Sequence, residues 1–189
     1  MINVANIDIE VECEKGFPQP SEAIERVNAI TLKTGALYTV LGLGDWENKN
    51  PALEHLEIKY YKCTSEMELL RSFLNLWEAA DIDIVTGWNV NSFDMLYLVN
   101  RIEKLLGEEQ MKRLSPFHSV KKVQKNLRGM LVEQVQLSGL VIADYLDLYK
   151  KFTYVTQESY RLDHIAQVEL GKRKLCLLYT SPSPRDSDS

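Results

Sequence analysis

A short, almost wholly apolar stretch from Ile82 to Thr86 sits between two segments of helical periodicity and is closed by Gly87. Such a run reads as a strand buried on both faces, which commits the chain to a sheet lying between layers. Before it, Leu69, Leu70, Phe73, Leu76 and Trp77 recur at spacings of three and four, after a capping-box pair at Ser65 and Glu68. After it, Leu96, Val99, Ile102, Leu105 and Leu106 mark the inward side of a helix from about Ser92 to Leu106, stopped by Gly107.

The remaining patterns extend the same architecture. Residues 3–12 alternate with period two: Ile7, Ile9 and Val11 point one way, and Asn6, Asp8, Glu10 and Glu12 the other. Residues 26–33 and 36–43 read as strands around a turn at Thr34-Gly35, and residues 56–62 as a fourth strand. Residues 119–126 and 130–137 suit a hairpin around Leu127-Arg128-Gly129. Val141-Ile142 leads into a helix from Asp144 to Lys151, and a last helix spans about Ser159 to Leu170 before Gly171. Antiparallel strands followed by strand–helix units predict an α/β fold, layered, with a mixed central sheet flanked by helices.

The 189 residues suffice for one ordinary domain, and 45% hydrophobic content is that of a globular chain. No apolar run reaches the roughly 20 residues of a membrane span, and no Lys or Arg precedes Lys15, so a secretory start is not expected. Cys13, Cys63 and Cys176 form no close pair, which disfavours a thiolate zinc site and a disulfide framework and suits a reducing, cytoplasmic setting. A net charge of −5 excludes a uniformly basic nucleic-acid glove but leaves room for a local basic patch.

Three features carry candidate chemistry. Asp8 and Glu10 stand two apart on one strand, so their side chains share a face with Cβ atoms about 7 Å apart. Paired carboxylates suit hard divalent cations; a solvated acidic face on an edge strand accounts for them equally. Asp94 ends Gly87-Trp88-Asn89-Val90-Asn91-Ser92-Phe93-Asp94, where a buried strand passes into a helix. Ligand sites favour the carboxyl ends of such strands, and an acid in a first helical turn is also favoured by the dipole alone. Between Gln110 and Val132, Lys112, Arg113, Lys121, Lys122, Lys125 and Arg128 occur without an Asp or Glu, a local field suited to phosphates or simply a solvated hairpin. The three histidines have no metal-ligand spacing, and Asp144, Asp147 and Asp163 stand where helices begin, as caps or solvated acids.

Together, Asn6-Ile7-Asp8-Ile9-Glu10-Val11 and Gly87 to Asp94 resemble the first two exonuclease motifs of family B DNA polymerases, in order and in spacing. Asn100-Arg101, Lys112 to Pro116 and Ala143 to Phe152 extend the resemblance, which is to polymerases of tailed bacteriophages and covers about residues 2–175. It implies a ribonuclease-H-like fold and 3′-to-5′ proofreading of DNA with two Mg²⁺ ions, Mn²⁺ being a possible substitute. By the same resemblance, Asp8 corresponds to the carboxylate that bridges the two ions. Glu10 corresponds to a ligand of the ion that activates water, and Asp94 holds the second ion. Asn89 and Phe93 fall near the 3′-terminal nucleotides. Lys121, Lys122, Lys125 and Arg128 belong to a basic hairpin insertion, 119–137, that helps separate primer from template. The implied partners are a single-stranded 3′ end, primer-template DNA and the remainder of the polymerase, with no membrane.

The family's third motif, Tyr-x-x-x-Asp, is not found: Tyr154 is followed four later by Glu158 and Tyr160 by His164. Residues 1–175 are therefore expected to be a partial exonuclease domain, truncated at both ends. Residues 176–189, rich in Ser and Pro, read as a disordered tail or as non-native read-through; the wording of the tail favours read-through. A free-standing nuclease of the same superfamily, or a non-catalytic nucleic-acid-binding or interaction module, are the competing readings. The 1–175 polypeptide is expected to be nearly inactive, because an incomplete site leaves carboxylates repelling one another. Vigorous Mg²⁺-dependent digestion of single-stranded DNA by that polypeptide, followed on a gel, contradicts the expectation.

Overall fold

The computed structural model describes residues 2–13, 16–127 and 130–172. Arg128, Gly129 and the 176–189 tail lie outside the described residues. Strand β1 (Val4–Val11) is central. It pairs antiparallel with β2 (Val27–Thr34), which pairs antiparallel with β3 (Leu37–Gly42), which pairs parallel with β4 (Glu57–Lys62). On its other side β1 pairs parallel with β5 (Ile84–Gly87), which pairs parallel with β8 (Val141–Asp144). The six-stranded order is β4-β3-β2-β1-β5-β8, a mixed sheet consistent with the ribonuclease-H-like exonuclease fold. A separate two-stranded ribbon joins β6 (Val120–Leu127) to β7 (Met130–Leu137).

The period-two pattern of β1 is realised: Ala5, Ile7 and Ile9 are buried, and Asp8 and Glu10 are exposed. The predicted strand at Ile82 is shorter than expected. Asp83 and Ile84 both donate their N–H to Asn3 O, so the strand proper starts at Ile84.

Helix α1 (Glu66–Ala79) starts as its sequence dictates. Ser65 is the N-cap and accepts from Glu68 N at 3.2 Å, while the Glu68 carboxylate reaches back to accept from Thr64 N at 2.7 Å. Leu69, Leu70, Phe73, Leu74 and Trp77 are buried on the sheet side. Helix α2 (Asp94–Leu106) follows β5 and begins two residues later than the sequence pattern suggests. It is buried over more of its circumference than an amphipathic helix needs, with Tyr97, Leu98 and Arg101 as well as Leu96, Val99 and Ile102 out of solvent. A short helix, α3 (Glu108–Met111), passes into a 3-10 turn at Lys112–Leu114, neither anticipated from periodicity. Helices α4 (Tyr145–Phe152) and α5 (Leu162–Leu170) complete the described chain, α5 starting three residues later than predicted and closing on Gly171 in the left-handed conformation (φ 63°).

One buried ion pair locks α2 to α1 and to the segment after β1. Arg101 Nε and Nη2 donate to Glu66 Oε1 and Oε2 at 2.8 and 2.7 Å, a bidentate pair with both side chains 10% exposed. Arg101 Nη1 also donates to the carbonyls of Ala23 and Ile24, and Glu66 Oε1 accepts from Val27 N. Every polar group of the pair is thus engaged, the condition under which a buried charge is tolerated. Arg101→Ala leaves Glu66 buried and uncompensated, with an expected loss of about 3–5 kcal/mol. The double change Glu66→Leu with Arg101→Leu is expected to recover part of it. Urea titration of the three variants checks both statements.

Candidate functional site

The candidate site forms where β5 stops and β1 runs on. The β1–β5 ladder ends at Asn6 opposite Thr86. Gly87 then passes so close to β1 that an added Cβ would lie 2.7 Å from the Ile7 carbonyl oxygen, which only glycine permits. From there β1 continues through Asp8, Ile9 and Glu10 with no strand on its β5 side among the described residues. A backbone N–H facing that space needs another acceptor. Asp94 provides it: Asp94 Oδ1 accepts from Ile9 N at 3.1 Å, a buried bond between residues 85 apart in sequence. Asp94, 1% exposed, is thereby fixed against the backbone between Asp8 and Glu10.

The strand-to-helix loop that delivers Asp94 is held from β8. Asn89 takes a left-handed conformation (φ 62°), which asparagine tolerates better than most residues. Asp144, at the end of β8, accepts from Asn89 N through Oδ1 and from Asn91 N through Oδ2, each at 3.0 Å. The same Oδ1 caps α4 by accepting from Leu146 N at 2.9 Å. Burial pushes the Asp144 carboxyl above the ordinary aspartate value, and the bonds from Asn91, Leu146 and Asn89 partly offset that rise. The sequence anticipated the cap but not the grip on the loop. The available signal was the position of Asp144 at the carboxyl end of an apolar strand, Val141-Ile142-Ala143.

The structure gathers some of the predicted residues and scatters others. Asp94 is bonded to Ile9 N, between Asp8 and Glu10 on β1, with Asn89 in the adjoining loop. Phe93 is 4% exposed, its ring 5.4 Å from Phe17 and 5.9 Å from Tyr97 between centroids, so the exposed aromatic of this group is Phe17. Tyr97 donates its hydroxyl to Glu25 O at 2.6 Å, and burial pushes that phenol up to about 12. Sequence periodicity gave no hint of Phe17 or Tyr97, because their partners come from a loop.

The basic segment is less positive than its composition suggests. Lys112 pairs with Glu108 and Glu109, Arg113 binds Glu78 through two nitrogens, and Lys122 pairs with Glu103 at 2.6 Å. The Glu78 carboxyl is held below its ordinary value by hydrogen bonding from Arg113. Lys121 and Lys125 remain exposed on the hairpin, with no ion pair among the described residues. Arg128 lies outside the described residues.

Comparison with known proteins decides the family: the exonuclease domain of DNA polymerase family B matches residues 1–165. The chain belongs to that family. The DNA-directed DNA polymerase of Escherichia phage RB69 is 38% identical over an alignment taking in 92% of this chain and 22% of the phage protein. That of Enterobacteria phage T4 is 36% identical with the same coverage. The DNA polymerase catalytic subunit of equine herpesvirus 2 is 29% identical over 91% of this chain and 18% of its own length. The chain thus spans about a fifth of the length of these relatives. Exonuclease domains of family B generally use divalent metal ions. Among the described residues no helix is long and apolar enough to cross a membrane.

The Gly87 contact gives a direct test of the site's construction. Gly87→Ala forces β5 away from the Ile7 carbonyl. It is expected to cost about 1–3 kcal/mol, as overpacking does, which at this chain length lowers Tm by roughly 2–4 °C per kcal/mol. Calorimetry on the two proteins checks it.

Proposed function

We propose that residues 1–175 are part of the proofreading 3′-5′ exonuclease of a family B DNA polymerase, with 119–137 as a hairpin inserted in it. Its substrate is the single-stranded 3′ end of DNA, reached from primer-template, and Asp8, Glu10 and Asp94 hold two divalent cations, Mg²⁺ with Mn²⁺ as an alternative. The observation that supports this most is the bond from Ile9 N to Asp94 Oδ1, since it brings the acid of the second motif to the two acids of the first.

The donors fit hard cations: all are carboxylate oxygens, and Asp8 and Glu10 are open to solvent. Among the described residues no three His, Cys, Asp or Glu side chains already form a metal-holding group. The cations supply Lewis acidity, lowering the pKa of the attacking water and offsetting charge on the phosphate. The chain's own residues prepare for this. Burial of Asp94 against Ile9 fixes one acid, and the rigid β1 backbone fixes the separation of the other two. The exposed Phe17 ring, backed by Phe93, offers a face to an unstacked base. Lys121 and Lys125 offer charge to the phosphates of a strand passing the hairpin.

Asp8→Ala is expected to abolish Mn²⁺ binding, read by electron paramagnetic resonance as the fraction of free ion, while the circular dichroism spectrum is unchanged. An interaction module whose acids are merely solvated loses no metal binding on that change and gains stability as repulsion with Glu10 is relieved. Undiminished Mn²⁺ binding in Asp8→Ala therefore rejects the exonuclease reading.

A further inference from the structure

We propose that Asp144 is a positioning residue for the carboxylate site and that Asn91 extends its hold to the hairpin. The metal arm of the test rests on the exonuclease reading above; the geometry does not. Asp144 is 5% exposed and lies at the junction of β8 and α4, on a different element from Asp8, Glu10 and Asp94. Its two oxygens take the N–H groups of Asn89 and Asn91, flanking Val90 in the loop that turns β5 into α2. The loop has no regular ladder of its own. Within it Phe93 N donates to Asn89 O at 3.0 Å and Met95 N of α2 to Val90 O at 2.8 Å, Trp88 Nε1 donates to Tyr160 O, and Asp144 takes the N–H groups on both sides of Val90. Asp144 thus holds the loop just ahead of the start of α2 and of the Asp94 contact with Ile9.

Asn91 carries the hold further. It is 9% exposed, and while its N–H goes to Asp144, its Oδ1 accepts from Val135 N of β7 at 3.3 Å. Lys122 of β6 adds its ion pair to Glu103 on α2. The base of the hairpin and the 88–93 loop are therefore joined by hydrogen bonds that converge on the buried Asp144 carboxylate and on Asn91. Asp144 does not touch a proposed ligand; it would act on metal by holding the loop that delivers Asp94, and partners that orient ligands directly typically change affinity 10–100-fold when lost.

The test uses the full 189-residue chain and Asp144→Ser, which retains a good N-cap for α4 while removing both loop acceptors. Amide hydrogen exchange is followed by NMR at Ile9, whose N–H reports contact with Asp94, and at Phe73 of α1, which reports global stability. Exchange at Ile9 is expected to accelerate at least tenfold more than at Phe73. Equal acceleration at the two sites overturns the proposal, because it means that Asp144 acts only on overall stability. Asn91→Ala is expected to speed exchange at Val135 in the same selective way; no selective change there removes the hairpin link. In the metal arm, Mn²⁺ is expected to bind at least tenfold more weakly to Asp144→Ser, and as in the parent to Asp147→Asn, an exposed acid one turn away. Unweakened binding in Asp144→Ser, with Asp8→Ala abolishing binding, overturns positioning of the metal ligands. Binding unaffected by Asp8→Ala instead rejects the exonuclease reading and leaves the exchange data to decide the positioning role.

Discussion

The geometry of this chain depends on α2 gripping β1 at one end and the segment after β1 at the other. Asp94 accepts from Ile9 N; three residues on, Tyr97 donates to Glu25 O; Asn100 and Arg101 donate to the carbonyls of Pro20, Ala23 and Ile24. Positions 94, 97 and 101 lie on one face of a helix, so a single face fixes both the strand that carries Asp8 and Glu10 and the loop that leaves it. The segment after β1 has little regular structure, and its carbonyls must be paired wherever they are buried. Side chains from α2 pair them, and for that reason the helix is buried beyond its apolar stripe.

This arrangement concentrates negative charge. Asp94 stands at the positive end of α2, against the strand that carries Asp8 and Glu10, and Asp144 is buried behind the loop. A helix N-terminus offsets typically 0.3–1 kcal/mol of such charge, and up to about 2 kcal/mol in partly buried geometries. The two acids on β1 face solvent, and the buried acid receives a backbone N–H. Asp144 is stabilised by three backbone N–H groups, yet desolvation still outweighs them and raises its pKa.

Much of the fold was legible because it is local. The alternation of Asn6 to Glu12 fixed which face of β1 is wet, the Ser65–Glu68 spacing fixed the start of α1, and Gly107 and Gly171 fixed two helix ends. Asp8 and Glu10 were legible as candidates through their spacing on one face of a strand, Asp94 through its place after a strand end, and all three through family resemblance. The supporting layer was not. Arg101 meets Glu66 across 35 residues and Asp144 meets Asn89 across 55, and no periodicity encodes a partner at such distances. The same blindness inflated the basic segment. Lys112 and Arg113 looked like free charge because the acids that neutralise them, Glu108, Glu109 and Glu78, lie outside the run.

The pairing of those charges divides the hairpin by function. Lys122 and Lys121 are adjacent on β6 and so project to opposite faces. Lys122 spends its charge on Glu103 of α2, and its strand partner Val135 is buried and bonded to Asn91, so that face seats the hairpin on the core. Lys121 and Lys125 share the other face and are exposed, although Gln134, opposite Val123 on that same face, is buried. Reversing a seating charge, as in Lys122→Glu, acts on hairpin placement and through Asn91 on the loop before Asp94. Reversing Lys125 leaves the seat alone. The two lysines are three residues apart and of one type, yet one is held in an ion pair with α2 and the other is exposed.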